Sequence, residues 1–239
     1  MKTYFSVLLL FLLFGKVVAQ QNFINVPSIE ITQKNRLFFQ QQINFSELIQ
    51  SNTTIDYGLG HNFEIGMNIL GLNFNEKQKS FLNNDTNDRD PYNPLVLINA
   101  LKRFELSDKV DLGIGTQLGI NFDFDKKESE AGLIYANLFF KDLLIKESRC
   151  VIGACYNSKH YGGTGNRIGA WIGTETPVTK KVHFIAESVL GYNAISYTSL
   201  ALVYYPKKWL PLTLGLQIPN TKKNAYSIVF ELTLIPGAN

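Results

Sequence analysis

Two cysteines, three histidines and two tryptophans are all that 239 residues contain of these types. No zinc-type spacing, HExxH, phosphate-binding loop or dinucleotide glycine pattern is present. The sequence reading therefore assigns no metal and no cofactor. Cys150 and Cys155 are five residues apart in one strand-like run. At about 3.3 Å per residue they stand on opposite faces, roughly 17 Å apart. A disulfide needs Cα atoms within about 7 Å, so no bridge is expected. Charge is scarce too, at 18% of residues. Setting aside Lys2 and Lys16 leaves 21 basic residues against 20 acidic ones, with no basic stripe. A nucleic-acid partner is not indicated. Past the N-terminus no apolar run approaches the roughly 20 residues of a spanning helix. The longest uncharged stretch, 188–206, is broken by Gly191, Asn193, Ser196, Thr198 and Ser199.

What the chain has is apolar content, 45% of residues, distributed in a particular way. Residues 1–19 read as a secretory signal peptide. Lys2 supplies the charge, residues 4–14 the apolar core, and Val17-Val18-Ala19 the small residues before cleavage. No cysteine follows to carry a lipid. Beyond an irregular lead at 20–35, expected in the periplasm, alternation with period two runs to residue 235.

The clearest case is 110–124. Val110, Leu112, Ile114, Leu118, Ile120, Phe122 and Phe124 share one face. Asp111, Gly113, Gly115, Gln117, Gly119, Asn121 and Asp123 take the other. Such a strand is long for a soluble protein, where about five or six residues is usual. Twelve segments qualify: 36–45, 51–59, 63–74, 94–104, 110–124, 131–141, 149–158, 166–175, 182–192, 196–205, 211–218 and 225–235. Two of them, 94–104 and 131–141, alternate weakly; without them the count is ten. No linker divides the chain, so 36–235 forms one domain and 236–239 a short tail.

The alternation has two readings. A soluble barrel that binds an apolar ligand hides its apolar face; a membrane barrel shows it to lipid. Strand length, an even count and aromatic residues near strand ends favour the membrane. Tyr57, Phe63, Phe104, Tyr204 and Trp209 mark one rim. Phe45, Phe74, Phe122, Tyr156, Tyr192, Tyr197 and Tyr226 mark the other. The strands then span as a closed antiparallel β-barrel, because hydrocarbon leaves no backbone group unpaired. Polar-face charges become candidate lumen-lining residues: Asp56, Glu64, Arg103, Asp111, Asp123, Arg167, Glu175, His183, Glu187 and Glu231. Acidic residues dominate that set, so an open lumen would weakly prefer cations.

Parity also fixes turns. Leu59 and Phe63 share a face, which predicts pairs summing to 122 and the connection Gly60-His61-Asn62. The same logic pairs Phe104 with Val110 and sets Arg103 beside Asp111 as an ion pair. His183 is expected beside Glu187, four residues on.

The hairpin run from Ile55 through Gly60-His61-Asn62 to Gly66, with the signal peptide and the amphipathic final strand, resembles small outer-membrane β-barrel proteins of Gram-negative bacteria. That resemblance implies a cell outer membrane location, periplasmic termini and insertion by the barrel-assembly machinery. It implies outer-membrane lipid as a partner, small solutes as a candidate cargo, and a non-enzymatic pore or surface protein. The chain departs from the class in ending on Ile235 and a Pro236-Gly237-Ala238-Asn239 tail rather than an aromatic residue. One enzymatic alternative rests on Ser158 and His160, in a segment similar to those of outer-membrane lipid acyl hydrolases. About 6–7 Å would separate them along a strand, too far for a direct bond.

Overall fold

The computed structural model describes residues 23–82, 93–121, 130–222, 224–235 and 237. Among these residues thirteen strands form in chain order: β1 (Leu37–Phe45), β2 (Ile49–Gly60), β3 (Phe63–Asn75), β4 (Ser80–Leu82), β5 (Leu95–Glu105), β6 (Val110–Asn121), β7 (Glu130–Lys141), β8 (Arg149–Asn157), β9 (Ile168–Pro177), β10 (Val182–Leu190), β11 (Tyr197–Lys207), β12 (Leu210–Pro219) and β13 (Ser227–Leu234). A single helical turn, α1 (Lys159–Gly162), sits between β8 and β9. Each wall strand pairs antiparallel with its neighbours, and β1 pairs with both β2 and β13. That last pairing closes the sheet into a twelve-stranded barrel. The short β4 only extends the end of β3. Both weakly alternating segments, β5 and β7, are full members of the wall, so the count is twelve and not ten.

The wall has two faces of opposite character. On β6, Asp111, Gly113, Gly115 and Asn121 are buried, while Ile114, Leu118 and Ile120 stand outward. Ile98 is 71% exposed, Ile168 73% and Leu214 61%. A continuous outer band of such side chains is too large for a surface in water. It matches the lipid-facing belt of a membrane barrel. Tyr57, Phe104 and Tyr204 stand exposed at the rim where the chain enters β1, and Phe45, Tyr156, Tyr192 and Tyr226 at the other. Two of the expected girdle residues do otherwise. Tyr197 lines the interior, and Trp209 packs against Phe38 and Ile235. Phe122 lies outside the described residues.

Turn parity is followed closely at the β2–β3 hairpin. Asp56 faces Gly66, Tyr57 faces Ile65 and Gly58 faces Glu64, with a bulge at Gly60 and Phe63. The connection is two residues, His61 and Asn62, not the expected three, because Gly60 still pairs with Phe63; both are at positive φ (54° and 57°). A tight hairpin turn requires that backbone shape, and Asn tolerates it well. At the β5–β6 turn the register is two residues from the expected one. Phe104 pairs with Leu112 and Glu105 with Asp111. Parity survives a shift of two, so the faces are as read and only the turn length differs. Cys150 and Cys155 are both free and buried.

The largest departure is the lead. Residues 23–36 do not extend into the periplasm as a separate segment. They run inside the barrel, where Phe23, Ile24, Val26 and Ile29 are each no more than 4% exposed. These four join Tyr135, Phe139, Val151, Trp171, Ile185 and Val203 in one apolar cluster. The chain turns at Asn35 (φ 61°) to enter β1 at the rim. The physical reason is burial: an apolar lead gains about 25 cal/mol per Å² removed from water.

Candidate functional site

The lead is pinned to the inner wall from one end to the other. At the rim, Thr32 N–H donates to Glu64 Oε2 (2.7 Å), and Asn35 N–H donates to the Gly58 carbonyl (2.8 Å). One level up, Glu30 pairs with Arg149, which also pairs with Glu175. Burial pushes the Glu30 carboxyl above its ordinary range, and the Arg149 guanidinium opposes that rise. Asn137 Nδ2 donates to the Pro27 carbonyl (2.6 Å), and Trp171 Nε1 donates to Asn137 Oδ1 (2.7 Å).

Midway along β10, Glu187 receives the tip of the lead. Its carboxylate accepts from the backbone N–H groups of Ile24 (3.0 Å), Asn25 (2.9 Å) and Val26 (3.0 Å). It also accepts from Asn25 Nδ2 (2.8 Å). The wall is recessed where the lead passes. A Cβ on Gly113 would sit 2.1 Å from Ile29 Cγ2, and one on Gly58 would sit 2.2 Å from the Thr32 carbonyl oxygen.

The polar-face residues read from the sequence divide into groups. Glu64 and Glu187 hold the lead. Glu175 binds Arg149, accepts from the Tyr205 hydroxyl (2.9 Å) and faces His183 Nδ1 (2.6 Å). His183 therefore partners Glu175, not Glu187. The geometry behind this is cross-strand: His183 lies opposite Pro177, so Glu175 is its diagonal neighbour on the same face. Arg103 and Asp111 form the expected ion pair (Nε to Oδ2, 3.2 Å), and Lys141 joins it (2.8 Å). Asp56 is buried and accepts from Asn99 Nδ2 (2.8 Å). Glu231 is fully buried beside Thr233. Arg167 is not a wall residue: it lies one position before β9 and is exposed. Asp123 lies outside the described residues.

This arrangement removes the basis for a cation-preferring lumen. The acidic side chains described above are taken up by the lead, by basic neighbours or by Asn99, and Glu231 is buried beside Thr233. They do not face an open water column.

Above the lead lies a cavity of about 630 Å³. Its floor is Ile24, Asn25 and Pro27, and Ser46, Leu48 and Asn224 belong to its outer end. Among the 29 described residues that line it, twelve are Asn or Gln and none is charged. Gln40, Gln42 and Asn44 come from alternate positions of β1, and Gln50 and Asn52 from β2. Three of these amides and Asn73 form a relay. Gln42 Nε2 donates to Asn44 Oδ1 (2.9 Å), Asn44 Nδ2 to Gln50 Oε1 (3.1 Å), and Gln50 Nε2 to Asn73 Oδ1 (3.2 Å). Tyr161 on α1 donates its hydroxyl to Gln117 Oε1 (2.8 Å), and burial raises the pKa of that phenol.

Sequence reasoning missed both features. It weighed charges on the polar face and passed over uncharged amides. The signal was present in Gln40, Gln42 and Asn44, spaced by two.

The serine–histidine alternative has a structural explanation. Ser158 is the N-cap of α1, with its hydroxyl accepting from Tyr161 N–H (3.3 Å) and Gly132 N–H (2.9 Å). His160 Nδ1 lies 2.9 Å from the Glu130 carbonyl oxygen. Each group is tied to backbone rather than to the other.

A closed twelve-stranded wall, apolar outside and polar within, defines a membrane-spanning β-barrel of the outer-membrane class. Its lumen is occupied by its own N-terminal lead. Among solved structures, the chain is similar to the KdgM porin in complex with disordered oligogalacturonate: TM-score 0.59, 6% identity, covering 82% of this chain and 98% of that one. It is similar also to the NanC porin, with TM-score 0.54 and 10% identity over 84% of this chain and 98% of that one. No family model and no curated protein matches the sequence.

Proposed function

We propose that the chain is a non-enzymatic outer-membrane channel for a small polar solute, stopped at mid-barrel by residues 23–36. One observation carries the reading: the cavity of about 630 Å³ reaches from the outer connections to a floor made by the lead itself. A barrel meant only as a surface scaffold would have no use for an amide-lined recess of that depth. The two similar porins support the same reading through their shared fold. Outer-membrane lipid is the partner of the apolar band, and the barrel-assembly machinery is the expected inserter. Residues 1–19, outside the described residues, serve as the export signal.

Planar-bilayer recording tests this. The full barrel should show a small or intermittent conductance. A variant lacking residues 20–35 should show a steady, larger one. Silence from both, with folding verified by heat-modifiable gel migration, would end the channel reading.

A further inference from the structure

The lining of the outer cavity selects among solutes. We infer that it binds an uncharged polyhydroxylated solute, a short neutral oligosaccharide, in preference to an ion or an acidic sugar. The inference rests on reading this cavity as the solute's entry, and it deepens that reading by naming the chemical class.

The first ground is charge. No described lining residue is charged. The ionic groups of the barrel are not on that lining: Arg103, Asp111 and Lys141 form one cluster, Glu30, Arg149 and Glu175 another, and the Glu187 carboxylate lies beneath the floor, taken up by N–H donors of Ile24, Asn25 and Val26. An ionised solute entering the cavity loses water and meets no opposite charge on the described lining. That is costly. A hydroxyl loses water too, but it is neutral and can be repaid by any amide.

The second ground is the form of the amides. A carboxamide offers two N–H donors and two acceptor sites. In the relay from Gln42 through Asn44 and Gln50 to Asn73, each link uses one donor and one acceptor. The bonds fix the orientation of the side chains and leave unspent capacity of both kinds on each. A sugar hydroxyl both donates and accepts, so it can engage a neighbouring donor and acceptor together. A carboxylate only accepts and an ammonium only donates, so each uses half of what the amides offer. The third ground is shape. At about 630 Å³ the cavity lies within the range of small-molecule sites. Tyr161 and Tyr197 on its lining offer flat apolar faces beside the amides, suited to the C–H faces of a sugar ring.

Titration calorimetry on the detergent-solubilised full chain decides the matter. The probes are galactotriose, maltotriose and cellotriose as neutral trisaccharides, and trigalacturonate as the charged counterpart of the first. Saturable heat is expected with at least one neutral sugar. Trigalacturonate should bind at least tenfold more weakly than galactotriose where galactotriose binds, or not at all. Gln50→Leu, which removes the centre of the relay, should weaken the neutral sugar at least fivefold. Gln50→Lys should shift preference toward trigalacturonate. Equal or tighter binding of trigalacturonate by the unaltered chain overturns the inference, as does the absence of binding by every neutral probe. Neither comparison depends on a variant folding. Because binding is read without passage, a silent bilayer with intact sugar binding sinks only the channel reading. A conducting barrel that binds no neutral sugar sinks only this one.

Discussion

Replacing Glu187 by Ala should release the lead while leaving the wall intact. The Glu187 carboxylate is the only described acceptor for the Ile24 and Val26 backbone N–H groups, and it also accepts from the Asn25 backbone N–H and from Asn25 Nδ2, which bonds Ser199 Oγ as well. Alanine orphans three backbone N–H groups at the tip of the lead. Each costs about 1–3 kcal/mol when left unsatisfied. The polar cavity above admits water, so the low figure applies and the sum is roughly 3 kcal/mol. At 1.4 kcal/mol per decade, the ratio of displaced to seated lead rises about a hundredfold. A thiol reporter reads this ratio. Ser28 in the lead is 2% exposed, and Ser28→Cys is close to isosteric. With Cys150 and Cys155 replaced by Ala, a membrane-impermeant maleimide should label Cys at position 28 slowly in the parent. In the Glu187→Ala background the rate should rise about a hundredfold, with heat-modifiable migration unchanged. An unaltered rate would refute the anchoring role of Glu187. Loss of the folded gel form would show that Glu187 holds the wall rather than the lead.

Gly113→Leu attacks the same seat by bulk, because even its Cβ would lie 2.1 Å from Ile29 Cγ2. It should open a conductance comparable to that of the lead deletion, recorded in planar bilayers; a closed trace would mean the lead tolerates displacement of Ile29. Arg149→Met strips the guanidinium from Glu30 and Glu175. Breaking such a buried network costs about 3–5 kcal/mol, to be measured as a lowered midpoint in denaturant-driven unfolding from lipid bilayers. Ile114→Arg places a cation on the outer face of β6, where Ile114 is 47% exposed. At the bilayer midplane the cost is about 2–4 kcal/mol. Unchanged stability in bilayers would contradict the assignment of that face to lipid.

The wall was legible because lipid and lumen impose a strict period of two, and Ile114, Leu118 and Ile120 obey it. Face parity located the turn at Gly60-His61-Asn62, three residues at positive φ, but made it one residue too long because Gly60 belongs to β2. It placed the Arg103–Asp111 pair on the correct face but misjudged the β5–β6 turn by two residues. Parity is blind to even shifts, and the turn carries no residue that dictates its length. The lead was illegible for a different reason. Phe23, Ile24, Val26 and Ile29 follow no period, since they pack into an irregular interior and not onto a sheet. Their apolar character was the available clue, because a solvated tether has no use for it. The amide cavity escaped because uncharged polar residues look alike whether they face bulk water or a bounded site.

The placement of the lead constrains the order in which the molecule can be built. The lead joins the wall at Leu37, the first residue of β1, and the wall closes where Phe39 meets Leu234 and Phe45 meets Ile228. The N-terminal segment is therefore attached to one lip of the seam and must lie inside when the two lips meet, or thread inward afterwards. If it is inside first, its apolar residues give the inward faces of β7 to β11 something to curl around. The lead then acts as a mandrel for the sheet. A chain without residues 20–35 is expected to close more slowly in time-resolved refolding into bilayers, followed by heat-modifiable migration. Equal rates would show that the sheet finds its curvature unaided.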